Sequence, residues 1–237
     1  IFSYAQEGFG PFAGFVSGWG YWLSAWLGNV AFATMMMSTV GYFFPEFLPG
    51  NTVPCIAIAS VVMWLLTIFV IRGVESASFL NAIVMVCKVV SLAVFILFSL
   101  FLFNAGIFTA DFWGAVYNNA VAAGTAGPDA APLGDVIQQI VNCFIIMFWV
   151  FVGIEGATVM SSRAARKRDV GKATVIGLAC LLAIYIGCSV LPYGYMSYTE
   201  IATLDYPAMV YIFEDMAPGW GGAFISVAII VSILGSW

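Results

Sequence analysis

Apolar residues run through this chain in long blocks, too continuous for the alternation of a half-buried strand. Six blocks read as membrane-spanning helices: 12–44, 53–71, 78–103, 137–161, 173–195 and a truncated one from 221 to 237. The breaks between them have recognisable chemistry. Pro45 and the PEFLPGN turn stop the first block, and Arg72 with Gly73 closes the second. The third block has 26 residues, which rise about 39 Å as a helix, enough to cross a bilayer with tilt. A loop rich in Gly, Ala, Asn and Pro leads from it to the fourth. The pattern predicts an all-α integral membrane protein.

Composition strengthens that reading. Hydrophobic residues make up 63% of the chain and charged residues only 8%, with mean hydropathy +1.04. A soluble domain carries about 25% charged residues; this chain could not cover its surface in water. Five cysteines (Cys55, Cys87, Cys143, Cys180, Cys188) lie mostly within apolar runs, and there is no histidine. Small apolar fillers are the expected role, with no disulfide framework, metal or cofactor. An enzyme is not expected either: no nucleophile–base pair or ligand cluster stands out, and Gly171–Lys172 lacks the P-loop pattern. The chain starts at Ile1 without an initiator methionine or targeting segment and stops at Trp237 within an apolar run. An internal piece of a longer membrane protein is expected.

Charge orients the spans. Six of the seven cations (Arg72, Arg163, Arg166, Lys167, Arg168, Lys172) fall in the loops after the second and fourth spans, about 72–77 and 162–172. Alternating spans put both loops on one side, and the positive-inside rule makes that side cytoplasmic. The other side carries Glu46, Asp111, Asp129, Asp135, Glu200, Asp205, Glu214 and Asp215 and no cation. Those acids either raise the local cation concentration or form a solvated surface. Gly10, Gly14 and Gly18 recur every four residues at the start of the first span, spacing that lets another helix approach closely. Lys88, in the third span, either snorkels to the interface or places a positive charge inside the bundle.

The strongest functional signal is FWVFVGIEGATVM, 148–160. Glu155 lies there in a span, flanked by Gly153 and Gly156. A carboxylate at the bilayer centre costs roughly 2.5–3.5 kcal/mol on insertion scales. Three readings compete. Glu155 could snorkel toward the basic loop beginning at Arg163, or make an interhelical hydrogen bond while protonated. Alternatively, it marks a substrate or proton site where the helix is interrupted. The glycines favour the third reading, because a broken helix frees backbone groups that a membrane tolerates only around a cavity or ligand. In the first span Tyr21 and Asn29 project from nearly one face with Ala25 between them. That face suits a ligand passage or ordinary helix packing.

These stretches carry a resemblance. FVGIEGATVMSSRAARKRDVGKATVIG resembles the sixth transmembrane helix and following loop of the basic amino acid/polyamine antiporters, in the amino acid–polyamine–organocation superfamily. GFGPFAGFVSGWGYWLSAWLGNVAF is similar to the end of their second helix and their third. SYTEIATLDYPAMVYIFEDMAPGW resembles the outer loop before the eighth. Within the family the likeness is to bacterial arginine/ornithine antiporters.

The resemblance implies a fragment, residues 1–237 of one permease domain, covering the end of helix two to the start of helix eight out of twelve. The family fold is a five-plus-five inverted repeat with broken first and sixth helices. By the same likeness Trp149 closes over bound substrate, and its carbonyl and that of Val152 face the α-ammonium. Glu155 becomes the acidic residue of the exchange gate, a proton or charge sensor, with Tyr21 its hydrogen-bonding partner. The carbonyls of Ser24 and Ala25 and the side chain of Asn29 surround the cationic end. Phe32 walls the methylenes, and Trp237 stacks on a guanidinium. Lys88 resembles a lysine that replaces a sodium ion in some proton-coupled relatives. The implied activity is arginine/ornithine exchange by alternating access in a bacterial inner (plasma) membrane, with lysine or a polyamine as further candidate cargo. The alternatives are a proton-coupled importer and a non-transporting structural or sensory subunit. The bilayer is the expected partner, a homodimer is an open assembly, and no nucleic acid is expected.

Overall fold

The computed structural model describes residues 2–72, 77–126, 130–150 and 167–236, without the side chains of 77–81, 148–149 and 167–168. It divides into two compact units, Ile1–Val89 with Asp205–Trp237, and Val90–Leu204. Among the described residues the regular structure is helical throughout. Among these described residues four helices are long and apolar enough to cross a membrane.

The first unit opens with α1 (Phe2–Phe9), which turns at Gly10 into the long α2 (Pro11–Val40). Gly10 has φ 91°, a left-handed conformation that favours glycine, and Pro11 supplies a preset φ for the first helical position. The chain thus doubles back. A β-carbon on Gly14 would lie 2.8 Å from Gln6 Cβ, and one on Gly18 would lie 3.3 Å from the Phe2 ring. The glycine repeat therefore does two jobs: Gly10 makes the bend, and Gly14 and Gly18 form the floor on which α1 rests.

The first apolar block continues to Phe44, but α2 ends at Val40. Phe44 is extended (φ −135°, ψ 93°), as a residue before proline tends to be, and Pro45–Phe47 forms a short 3-10 turn. α3 (Val53–Ile71) then packs beside α2. The core of this unit joins Met36 and Met37 of α2, Cys55 and Ala59 of α3, and Ile233 of α11 (Gly221–Leu234). Cys55 is fully buried and fills space as expected, whereas Cys143 and Cys180 are exposed. α4 (Ala77–Phe101) begins in this unit and continues into the other.

In the second unit the loop after the third apolar block contains two short helices, α5 (Ala105–Ala110) and α6 (Ala115–Ala122). Side-chain caps explain them. Asn104 Oδ1 accepts from Gly106 N at 2.8 Å, and the two carboxylate oxygens of Asp111 accept from Val116 N and Tyr117 N, each at 2.8 Å. α7 (Val136–Val150) covers the first part of the fourth apolar block, whose remainder lies outside the described residues. α8 (Lys167–Val190) starts six residues earlier than the hydropathy suggests, taking in the charged KRDVGK stretch. Ile96 of α4 packs where Gly187 of α8 has no side chain, 3.0 Å from the position of a β-carbon. A capping box between Ser197 and Glu200 starts α9 (Tyr198–Ile201). The chain then returns to the first unit through α10 (Ala208–Met216), whose Phe213 is fully buried against Trp220 and Phe224.

Candidate functional site

Five of the candidate residues share one unbroken helix. Tyr21, Ser24, Ala25, Asn29 and Phe32 all belong to α2. Tyr21 is exposed, Ser24 is half-buried, and Asn29 turns its amide back onto its own helix, Nδ2 donating to Ala25 O at 3.1 Å. That bond satisfies one donor of the amide and ties Asn29 to one of the carbonyls assigned to the cationic end of a ligand. Asn29 also borders a cavity of about 280 Å³ between α2 and α3, lined by Ala33, Thr34, Cys55, Ala59 and Met63 among others. Phe32 is partly buried against the Met36–Met37 core rather than facing open space. Beside this stripe Trp22 and Trp26 stack, ring centroids 6.3 Å apart.

Lys88 has a defined partner. Its Nζ donates to Ser236 Oγ at 2.7 Å, and that hydroxyl donates in turn to Ser232 O at 2.9 Å. The ammonium is therefore directed across to the C-terminal end of α11, where the helix dipole and the last carbonyls favour a cation. Close packing supports the contact, since Val84 of α4 lies against Gly235. The bond and the packing join α4 to the end of α11.

For the remaining candidates no side-chain placement is described. Trp149 is in α7, in the second unit, and its side chain lies outside the described residues, as do Val152, Glu155 and Trp237. At the last described residue of α7, Tyr185 of α8 donates its hydroxyl to Val150 O at 3.3 Å. This is a side-chain donor for a backbone carbonyl five residues before Glu155 in the sequence. Sequence reasoning missed it, although a lone tyrosine within LLAIYIGC is a legible signal. It also passed over Ser236 and Tyr42, whose importance depends on partners 148 and 172 residues away in the chain.

A family model described as amino acid permease matches residues 1–237, the whole chain. The chain belongs to the amino acid permease family. Its expected character as a multi-pass membrane protein is supported by that membership and by the apolar helices. Among relatives of this permease chain, an arginine/ornithine antiporter of Latilactobacillus sakei is 56% identical over 237 residues, all of this chain and 48% of the relative. An arginine/ornithine antiporter of Pseudomonas aeruginosa is 45% identical over 236 residues, again all of this chain and 46% of the relative. An arginine/agmatine antiporter of Chlamydia felis is 38% identical over 238 residues, covering 47% of that protein. The chain spans about half the length of the curated relatives it matches.

Proposed function

We propose that this chain is part of an exchanger that moves arginine one way and ornithine the other by alternating access. The observation that carries the reading is the 56% identity to an arginine/ornithine antiporter over every residue of the chain. The other relatives point the same way, since arginine is named for each of them while the counter-cargo varies. The physics is compatible. A basic amino acid needs acceptors for its cation, apolar walls for its methylenes and a fixed acid to offset charge. Ser24, Ala25 and Asn29 supply polar groups on α2, Phe32 an apolar one, and Trp149, Val152 and Glu155 complete the site from the fourth apolar block. Trp237 stacks on the guanidinium, and Tyr21 and Glu155 form the gate.

In this reading the membrane is the bacterial inner membrane, and the loops around 72–77 and 162–172 face the cytoplasm. Their six cations support that orientation. Exchange without net uptake requires that the empty carrier interconvert slowly and the loaded one quickly. Lys88, held by Ser236, acts as a fixed charge in such a cycle. A proton-coupled importer would instead need it to titrate.

The test uses the full-length protein in liposomes. Labelled arginine should enter vesicles preloaded with ornithine and stay out of empty ones; equal uptake into both overturns exchange. A proton gradient imposed on empty vesicles should drive no uptake, and uptake lost in Lys88→Ala would favour the importer instead. Glu155→Gln should lower exchange or change its pH response. Exchange equal to wild type at every pH would remove Glu155 from the gate.

A further inference from the structure

Glu214, near the end of α10, accepts three hydrogen bonds. Tyr42, just beyond α2, donates its hydroxyl to Oε2 at 3.0 Å. Gly222, in the first turn of α11, donates its N–H to Oε2 at 2.7 Å, and Gly219 donates to Oε1 at 3.0 Å. The carboxylate thus satisfies one first-turn amide of a 14-residue helix and one amide just before it, where the dipole favours negative charge. The bonds from Gly219 and then Gly222 hold the carboxyl below the usual range, with the Tyr42 hydroxyl adding to them against some desolvation. The crossing is tight as well. A β-carbon on Gly222 would lie 2.6 Å from the Tyr42 ring, so glycine there lets the ring lie across the helix start. The other titratable groups nearby are Tyr211, whose ring centroid is 6.2 Å from that of Tyr42, Asp215 beside Glu214, and Asp205, whose charge acts on Tyr211. None of these carries a positive charge, and the N–H donors of Gly219 and Gly222 are what favour the ionised form of Glu214.

The opposite end of the same helix holds another long-range contact. α11 runs from Gly221 to Leu234, a rise of about 21 Å. Just past its end Ser236 receives Lys88. Between the two, Ile233 packs into the Met36–Met37 core of α2. A rod held at one end by Tyr42 and Glu214 has its depth set along its whole length, because its backbone hydrogen bonds resist stretching.

We propose that Glu214 is a positioning residue for transport: with Tyr42 it pins the start of α11 to the end of α2 and so sets where the Lys88–Ser236 end lies when cargo is bound. This rests on the exchange reading above, but one arm of its test does not. Glu214→Gln places an amide donor where the carboxylate had an acceptor, and Tyr42→Phe removes one hydroxyl while keeping the ring.

With full-length protein in ornithine-loaded liposomes, KM for external arginine should rise roughly three- to tenfold in Glu214→Gln and less in Tyr42→Phe. The double variant should be no worse than Glu214→Gln, since both act on one contact. Lowering the external pH should raise KM in the wild type as Glu214 protonates, and the rise should be smaller in Glu214→Gln, which keeps Glu155 but lacks this carboxyl. Wild-type KM in both variants, with only the maximal rate falling in step with the folded fraction, overturns the proposal. If the wild type exchanges nothing, the exchange reading fails and amide hydrogen exchange decides the positioning role. Glu214→Gln should then deprotect both 219–222 and 232–236. Deprotection confined to 219–222, or none, overturns it.

Discussion

Single residues matter here mainly through what lies opposite them. Gly222 shows it most clearly, because the Tyr42 ring occupies the space a side chain would need. Gly222→Ala should therefore lower stability by about 1–3 kcal/mol, as overpacking does. Thermal unfolding of the purified protein should show a lower midpoint, and the smaller ring-free partner in Gly222→Ala with Tyr42→Ala should recover part of it. Nothing in the chain around Gly222 signals this, since Gly-rich stretches are common throughout and Tyr42 is 180 positions away. Glu155 is the opposite case. Its cost in an apolar span is legible from the sequence alone, whereas its contacts lie outside the described residues.

Helical elements follow the apolar pattern where that pattern is long. The 53–71 block became α3 with the expected bounds, whereas the first block overran the end of α2 because hydropathy does not register the turn before Pro45. Short elements escaped hydropathy because their stability comes from caps. Asp111 satisfies two amides at the start of α6, so Asp111→Ala should destabilise the second unit by about 1 kcal/mol, up to about 2. Loss of protection at 115–118 in hydrogen exchange would check it. The Ser197–Glu200 capping box has a pH signature. Hydrogen bonds from the Ser197 backbone and then its side chain lower the Glu200 pKa against a small opposing effect of burial. A depressed carboxyl contributes stability that is present above the unfolded value of about 4.3 and lost as pH falls through the folded value. Exchange protection around 198–202 should therefore drop on acidification below about pH 4, and Glu200→Gln should remove that dependence. The glycine repeat was read as a close-packing surface, and Gly14 and Gly18 do lie against another helix while Gly10 makes the bend. That the partner would be α1, folded back at Gly10, could not be read from spacing.

Whole-molecule organisation depends on charge placement and on contacts between distant segments. The basic loops predict a topology that labelling can check directly. In a variant freed of its native cysteines, Arg163→Cys should react with an impermeant thiol reagent only after the cytoplasmic side is opened. Ready labelling in intact cells would reverse the orientation. By itself the sequence determined the class and the number of apolar blocks, and its charge placement proposes the sidedness that the labelling tests. Hydropathy and charge are summed along the chain, and the bilayer responds to those sums. The resemblance carried by GIEGA and its neighbours pointed to the family that the full-length family match then showed. Tertiary structure decided the pairings: Lys88 with Ser236, Tyr42 with Glu214, Tyr185 with Val150. Such bonds depend on a few ångströms between side chains far apart in sequence, and no local pattern encodes that distance.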